Sequence, residues 1–330
     1  MSEQKKKVVL SGLRPTGPCH LGNLAGALRN WMKLQDLYRC YYTIVTWHAF
    51  SSEYTNSKAI RENVFEVAVD WLSIGLDPEK CVLFVQSEVK EHAELHLILS
   101  MITPLPWLER VPTFKEMQQE LQDKDINTYG YLGYPVLQTA DIIIYKADIV
   151  PVGEDQAPHL ELAREITRRF NRFFGPIFPE PQILLTEVPR LAGTDGRKMS
   201  KSFGNAIYLK DSPDVIRHKI APMTTDTRRM RRTDPGEPND CPVFTLHKAF
   251  VAKQKHEEIA RGCRTAGIGC LDCKKIVIES LIQTLTPYWE RRAKYEKNPR
   301  LIWDILEEGN KKARRAAEQT MDEVRAALGF

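Results

Sequence analysis

Apolar positions in the first 155 residues of the chain follow two alternating periods. Short runs rich in β-branched and aromatic residues predict strands, and stretches with an apolar residue at every third or fourth position predict helices. Strands are expected at 8–13, 41–50, 81–89 and 148–152, with helices at 21–37, 59–75, 91–101 and 157–170. Strands that alternate with helices are typical of a parallel sheet covered by helices on both faces.

The period changes after about residue 210. Helical spacing then dominates, at 213–219, 243–261, 273–298 and 301–328, and no further strand is predicted. We therefore predict an α/β protein: a doubly wound, Rossmann-like parallel-sheet domain over 1–210, which would be the catalytic domain, followed by an all-helical domain over 211–330. Ligands of such sheets bind at the carboxyl ends of the strands, which directs attention to the loops after Leu10, Phe50, Val89 and Val152.

Composition narrows the class of protein. Hydrophobic residues make up 42% of the 330 residues and charged residues 27%, which excludes collagen, coiled coil and wholesale disorder. No apolar run reaches the roughly 18 residues that a membrane helix needs. The apolar stretch at 8–10 is too short for a signal peptide. A cytoplasmic protein is expected, with its seven cysteines reduced or bound to metal.

Charge is concentrated in two basic segments. The net charge is only +4, but 217–232 carries six basic residues against one acid, Asp226, and 164–172 carries four arginines. Such clusters are compatible with solvated surfaces or with phosphate contacts to a polyanion such as a nucleic acid.

A glycine- and proline-rich loop follows the first predicted strand, although the chain has neither a Walker loop nor a GxGxxG motif. The loop reads SGLRPTGPCHLGN over 11–23, with His20 and Asn23 where the first helix should begin. Helix N-termini favour phosphate groups. A second loop, GRKMSKS at 196–202, has paired lysines that could neutralise a departing polyphosphate. Taken singly, either loop could be an ordinary turn or a flexible surface loop.

Together, these loops resemble the HIGH and KMSKS motifs of class I aminoacyl-tRNA synthetases. KMSKS is intact at 198–202, and the first motif is His20-Leu21-Gly22-Asn23. The Asn variant, the preceding SGxxPTG and the GEDQ at 153–156 resemble the tryptophanyl branch of that family. The resemblance, which covers nearly the whole chain, implies a tryptophan–tRNA ligase that joins tryptophan to ATP with release of pyrophosphate and then charges tRNA(Trp). It also implies Mg²⁺ and a homodimer with tRNA spanning both subunits.

The resemblance carries roles onto individual residues. His20, Asn23, Lys198 and Lys201 are the expected catalytic residues. ATP would be bound by Arg14, Pro15, Thr16, Gly22, Asn23, Lys115, Gly153, Glu154, Asp155, Lys198, Met199, Ser200, Lys201 and Ser202. For Lys115, a solvated helix position is the alternative.

The amino acid pocket is predicted around the segment YPVLQTADIIIY at 134–145. Tyr134, Gln138 and Asp141 recur at steps of four and three, so on a helix they share one face. A carboxylate there could accept the indole N–H, and Asp141 matches the residue that does so in the family. His48 and Gln156 are expected in the same pocket.

Two departures from the family pattern affect this pocket. Many bacterial relatives carry Met at the position of Gln138, and Thr46 stands where an Asp is usual. The tyrosyl branch shares the helix spacing, so a tyrosyl-tRNA synthetase is one alternative function. A synthetase-like RNA-binding regulatory protein is another.

Four cysteines in the helical part predict a metal site. Cys241, Cys263, Cys270 and Cys273 are separated by 21, 6 and 2 residues. Four thiolates ending in a CxxC suit zinc or a [4Fe–4S] cluster. The pattern resembles a subset of tryptophanyl-tRNA synthetases that carries the cluster on C-x22-C-x6-C-x2-C, with one residue fewer here. This favours the cluster, in a structural role near the tRNA anticodon, with the basic residues Arg264, Lys274 and Lys275 beside it.

Overall fold

Five parallel strands form one sheet at the centre of the structure. The computed structural model describes residues 6–111, 128–153, 156–185 and 190–330. The strands are β1 (Val8–Leu13), β2 (Arg39–Ile44), β3 (Cys81–Val85), β4 (Ile149–Val152) and β5 (Gln182–Leu185). Their order is β3-β2-β1-β4-β5. The chain therefore fills one half of the sheet outward from β1 and returns to fill the other half from β4, which places a topological switch point between β1 and β4.

Helices cover both faces of the sheet and form the C-terminal region. Within the described ranges, the first nine α-helices are α1 (Leu21–Asn23), α2 (Arg29–Leu37), α3 (Thr46–Glu53), α4 (Ser57–Ile74), α5 (Glu91–Ile102), α6 (Leu105–Glu109), α7 (Tyr129–Leu132), α8 (Tyr134–Ile143) and α9 (Ala157–Phe174). A π-helical turn at Leu24–Leu28 joins α1 to α2. The remaining helices are α10 (Pro213–Ile220), α11 (Pro242–Phe250), α12 (His256–Arg264), α13 (Cys270–Glu296) and α14 (Pro299–Leu328). The predicted class, a Rossmann-like parallel sheet followed by a helical region, is confirmed.

Several predicted elements differ in extent from the observed ones. The strand expected at 41–50 ends at Ile44, and the one expected at 81–89 ends at Val85. The helix expected at 243–261 is two helices, α11 and α12. Strand β5 was not predicted because it is short and lies largely exposed at the sheet edge, so it lacks the alternating pattern that marks a strand.

Helix α3 begins at Thr46, inside the predicted strand, because of contacts with a distant segment of the chain. The Trp47 N–H donates to Oε1 of Gln86 at 2.9 Å, and the Thr46 hydroxyl accepts the Ser87 N–H at 3.1 Å. These partners come from the segment after β3 and satisfy backbone groups that a longer strand would have paired. Local propensity alone could not have located this boundary.

Two hydrophobic clusters lie on the two faces of the sheet. Alternate strand residues enter different clusters, with Val9 in one and Leu10 in the other. The first cluster continues into Val277 and Leu281 of α13, and the second includes Ala317 of α14. Residues from both predicted domains thus share the same cores, and the boundary at residue 210 stays a prediction. None of the helices in the described part of the chain is long and apolar enough to cross a bilayer.

Candidate active site

A cavity of about 390 Å³ opens at the carboxyl ends of β1, β2 and β4. Its walls include the end of β1 and the loop after it, the end of β4, and the face of α8 that carries Tyr134, Gln138 and Asp141. It occupies the switch point of the sheet, where doubly wound folds bind their ligands, and its volume is within the range for small-molecule sites.

The carboxylate of Asp141 is the centre of a buried hydrogen-bond network. Its Oδ1 accepts from Gln86 Nε2 at 2.9 Å and from His92 Nδ1 at 2.6 Å. Its Oδ2 accepts from the same Gln86 nitrogen at 2.7 Å and from His48 Nε2 at 3.0 Å. The second ring nitrogen of His92 lies 2.7 Å from the Tyr145 hydroxyl. Each oxygen of Asp141 therefore has two protein partners.

Electrostatics keep Asp141 ionised. Burial raises the pKa of this carboxyl, but the hydrogen bonds from His48 and His92 outweigh burial and hold the pKa well below its usual range. Two buried polar atoms nearby, Gln138 Oε1 and His48 Nδ1, have no hydrogen-bond partner among the described residues. Both residues line the cavity, so the Gln138 oxygen offers an acceptor to an N–H group of a ligand.

The structure brings the residues predicted for the amino acid pocket together. Tyr134, Gln138, Asp141, His48 and Gln156 all line the cavity. The Tyr134 ring stands perpendicular to the His48 ring with centroids 5.3 Å apart, and its hydroxyl lies 2.9 Å from His159 Nε2.

Sequence reasoning missed Gln86 and His92. The sequence predicts a strand that continues to residue 89, whereas β3 ends at Val85. The predicted carboxyl end is therefore four residues too late. Gln86 directly follows the true end of the strand. The place of Thr46 is also resolved, because its hydroxyl contacts the Ser87 backbone instead of the His48 ring.

His20 and Asn23 bind each other at the start of α1. His20 Nδ1 accepts the N–H groups of Gly22 at 3.0 Å and Asn23 at 3.3 Å, while Asn23 Oδ1 accepts the His20 N–H at 3.0 Å. The amides expected to face a phosphate are thus hydrogen-bonded to an imidazole here. Burial, assisted by the charge of Lys201, lowers the pKa of His20 to about 4, so the ring is neutral near pH 7. A Cβ at position 22 would lie 2.8 Å from this ring, so a residue other than glycine would displace the imidazole.

The KMSKS loop contacts the first loop through Lys201. Its Nζ donates to the Gly17 carbonyl at 2.6 Å, and burial lowers its pKa. The loop is fixed from below by Asn205, only 2% exposed, which accepts the Ser200 N–H at 2.8 Å and donates to the Lys198 carbonyl at 3.1 Å. Asn205 was not predicted, because an Asn in a loop carries no distinctive pattern. Lys198 itself is exposed, Met199 is buried, and Ser200 and Ser202 bond to each other at 2.9 Å.

The other residues predicted to bind ATP are divided between the cavity and undescribed parts of the chain. Arg14 and Gly153 line the cavity. Pro15 and Thr16 belong to the adjacent turn, in which the Thr16 N–H donates to the Arg14 carbonyl at 2.9 Å. Lys115, Glu154 and Asp155 lie outside the described residues.

The four cysteines predicted to bind metal lie on neighbouring segments. Cys241 precedes α11, Cys263 is in α12, and Cys270 and Cys273 are in the first turn of α13. Burial, together with the charges of the other three thiols, raises the pKa of Cys273 to about 12. Within the described ranges, however, no three His, Cys, Asp or Glu side chains are arranged to hold an ion. The metal site stays a prediction.

The strand order and the cavity define a doubly wound α/β protein with a ligand site at the switch point of its sheet. Residues 2–286 match the family described as tRNA synthetases class I (W and Y), and the chain belongs to this family.

Individual relatives agree over nearly the whole chain. The curated tryptophan–tRNA ligase of Thermotoga maritima is 50% identical over 324 residues, 98% of this chain and 99% of the relative. The tryptophan–tRNA ligase of Aquifex aeolicus is 42% identical, with 98% and 99% covered. The crystal structure of tryptophanyl-tRNA synthetase from Campylobacter jejuni, complexed with ADP and tryptophan, is 32% identical with a TM-score of 0.85, covering 98% of this chain and all of that one. The predicted enzyme family is confirmed.

Proposed function

We propose that this chain activates tryptophan with ATP, releases pyrophosphate and transfers the amino acid to the terminal ribose of tRNA(Trp). The ligase activity predicted from the sequence is confirmed by curated relatives of that name at 42–50% identity over nearly the full length. The observation that carries the finer proposal is the cavity at the switch point, which joins the predicted indole pocket to the loop that contacts Lys201.

Tryptophan recognition is proposed to rest on acceptors for the indole N–H. Asp141 is ionised, but its oxygens already accept four hydrogen bonds. Gln138 Oε1 has no partner among the described residues and lies on the same helix face. An amino acid without a ring N–H would leave such a buried acceptor unsatisfied, which is the basis of strong discrimination. We assign Gln138 and Asp141 to the pocket. Tyr134 and His48 would form its aromatic walls, and Gln156 would lie at its rim.

ATP activation is proposed to depend on position and charge, because a carboxylate attacks the α-phosphate without a protein nucleophile. Lys198 and Lys201 would neutralise charge that develops on the departing pyrophosphate. His20, neutral near pH 7, and Asn23 would hold the first loop under the nucleotide, with Arg14, Pro15, Thr16, Gly22 and Gly153 around it and Met199, Ser200 and Ser202 in the second loop. Lys115, Glu154 and Asp155 keep their proposed ATP-binding roles. Mg²⁺ is proposed to accompany the phosphates.

ATP–pyrophosphate exchange with each amino acid in turn tests this function. Exchange with tryptophan alone is expected, together with its loss when Lys198 and Lys201 are both replaced by alanine. Exchange with tyrosine but not tryptophan would make the chain a tyrosyl-tRNA synthetase. A complete absence of exchange would favour the RNA-binding regulatory alternative.

The four-cysteine site is proposed to hold a [4Fe–4S] cluster in preference to Zn²⁺. The support is the spacing of Cys241, Cys263, Cys270 and Cys273, which ends in a CxxC, and their position on neighbouring segments of the helical region. When bound, the cluster would cross-link α12 to α13 and thereby stabilise the surface proposed to meet the anticodon. Iron and sulfide quantitation on the anaerobically purified wild-type protein should give about four irons per chain. Cys270→Ala is the control. One zinc per chain without iron would contradict the proposal.

The functional assembly is proposed to be a cytoplasmic homodimer that binds one tRNA across both subunits. The support is the family pattern and the basic segments at 164–172 and 217–232. Sedimentation of the purified chain alone and with tRNA would distinguish a dimer from a monomer, and the monomer would overturn this part of the proposal.

A further inference from the structure

A buried carboxylate with no place in the site above connects two distant parts of the chain. Asp70, in the last turns of α4, is fully buried. Its Oδ2 accepts the Cys19 N–H at 2.6 Å, and its Oδ1 accepts both the Tyr288 hydroxyl and Nη1 of Arg292 at 2.5 Å. We call Asp70, Tyr288 and Arg292 the Asp70 network.

Stability alone does not explain the Asp70 network. Arg292 is 5% exposed and donates further to Glu66 at 2.9 Å and to Glu296 at 2.8 Å, so every charge is paired. Buried ion pairs of this kind add little stability over well-packed apolar residues, because removing both charges from water offsets their attraction. Their more informative property is that they fix the relative position of the groups they join.

The Asp70 network fixes the backbone beside the first ATP motif. Cys19 directly precedes His20, and its carbonyl accepts the Leu209 N–H at 2.9 Å. Leu209 lies on the segment that leaves the KMSKS loop, and its carbonyl accepts Nε1 of Trp289 at 2.9 Å. Helix α13 therefore contacts both segments: the backbone at Cys19 through Asp70, and the backbone at Leu209 through Trp289.

This pairing determines how far apart the two ATP motifs lie. His20 and Tyr208, the neighbours of Cys19 and Leu209, form an antiparallel β-bridge. Lys201 donates to the Gly17 carbonyl at 2.6 Å. A shift of Cys19 would move His20 relative to both lysines of the second motif. Misplacement by about 1 Å is enough to slow a reaction that depends on positioning, by as much as 10²-fold.

We propose that Asp70, Tyr288 and Arg292 are positioning residues of the ATP site, through which helix α13 sets the geometry between the two ATP motifs. The inference rests on the proposed function, in that these two loops bind ATP. No member of the Asp70 network needs to touch the nucleotide, since the contact to the site is the Cys19 amide.

Two substitutions of different severity test the proposal. Asp70→Asn keeps the shape but leaves one acceptor oxygen, which can serve the Cys19 amide or the α13 donors but not both. Tyr288→Phe removes a single hydroxyl. In ATP–pyrophosphate exchange, kcat/KM for ATP should fall on the order of tenfold or more for Asp70→Asn and several-fold for Tyr288→Phe. The Kd for tryptophan, measured by equilibrium dialysis without ATP, should stay within about twofold.

Glu296→Gln provides the matched control. It neutralises an outer, half-exposed carboxylate beside the same guanidinium and leaves the Asp70 contact in place. Its kcat/KM for ATP should equal that of the wild type. The inference is overturned if folded Asp70→Asn or Tyr288→Phe keeps the wild-type value, or if tryptophan binding weakens as much as ATP use, which would indicate a general structural defect.

Further readouts separate this inference from the proposed function. If Asp70→Asn does not fold, Tyr288→Phe decides. If the wild type itself shows no exchange, the proposed function fails, and calorimetric ATP binding by the wild type and Tyr288→Phe then decides the inference. Weaker ATP binding by the variant would support the inference, and equal or absent ATP binding would contradict it.

Discussion

At the scale of single residues, the Oε1 of Gln138, which has no hydrogen-bond partner in the described part of the chain, gives a direct test of indole recognition. Gln138→Met should weaken tryptophan binding about tenfold, because an unmatched buried N–H costs about 1–3 kcal/mol. The measurement is KM for tryptophan in pyrophosphate exchange. A benzothiophene analogue of tryptophan, with sulfur in place of the ring N–H, is the matched control, since the variant should discriminate between the two amino acids less than the wild type does. Discrimination that survives Gln138→Met and disappears in Asp141→Asn would assign the indole N–H to Asp141 instead.

The lowered pKa of His20 predicts a pH-dependent stability. The folded-state pKa is about 4, whereas an unfolded histidine titrates near about 6.5. Between these values the unfolded chain binds more protons, so the free energy of unfolding decreases as pH falls from about 6.5 to about 4. Urea unfolding at about pH 7 and about pH 4.5 should show a loss that is about 2 kcal/mol larger for the wild type than for His20→Asn. Equal losses would contradict the buried, neutral imidazole.

The residues that could be predicted have partners or motifs close to them in sequence, whereas those that could not have distant partners. Gln138 and Asp141 share a helix face, so spacing alone grouped them, and the two loops carried recognisable motifs. Asp70 is different. In the sequence it is one acidic residue on an amphipathic helix. Its partner Arg292, 222 positions later, is known only from the structure. No local pattern encodes a contact of that separation.

At the scale of elements, α14 closes the exposed edge of the sheet at β3. Asn310 Oδ1 accepts the Val85 N–H at 2.8 Å, which takes the place of a neighbouring strand. The approach is close at Gly309, where an added Cβ would lie 1.8 Å from the Leu83 carbonyl oxygen. Periodicity predicted this helix but not its partner, because a glycine inside a helix is read from sequence only as a weak point.

Gly309→Ala tests this contact, because two effects oppose each other. Helix propensity favours alanine by about 1 kcal/mol, but the new methyl group must push α14 away from β3. Overpacking of this kind typically costs about 1–3 kcal/mol or more, so a net loss of stability is expected in urea unfolding. The exposed neighbour Glu308→Ala should stay within about 0.5 kcal/mol of the wild type. A stabilised Gly309→Ala variant would show that the helix does not lie against the strand.

At the scale of the whole molecule, residues before and after 210 depend on one another. Periodicity predicted a parallel sheet followed by a helical region, and the structure has both. Periodicity gave no information on how the two pack, because hydrophobic periodicity indicates which face of a helix is buried and not what buries it. In the structure, α13 lies along α4 and α14 along β3, so the helical region completes the cores of the sheet.

A fragment of residues 1–210 should therefore fail to fold by itself. It would expose the edge of β3, uncover the apolar surfaces that Leu281 and Met321 now bury, and leave Asp70 buried without Arg292, which is strongly destabilising. Circular dichroism should show no cooperative thermal transition for the fragment, in contrast to the full chain, and gel filtration should show aggregates. The full chain carrying Leu281→Ala is the intermediate control, since it should still unfold cooperatively after a loss of about 2–5 kcal/mol. A fragment that melted cooperatively and bound ATP would mean that the sheet region is an autonomous domain, and that helix α13 cannot be what sets the distance between its two ATP motifs.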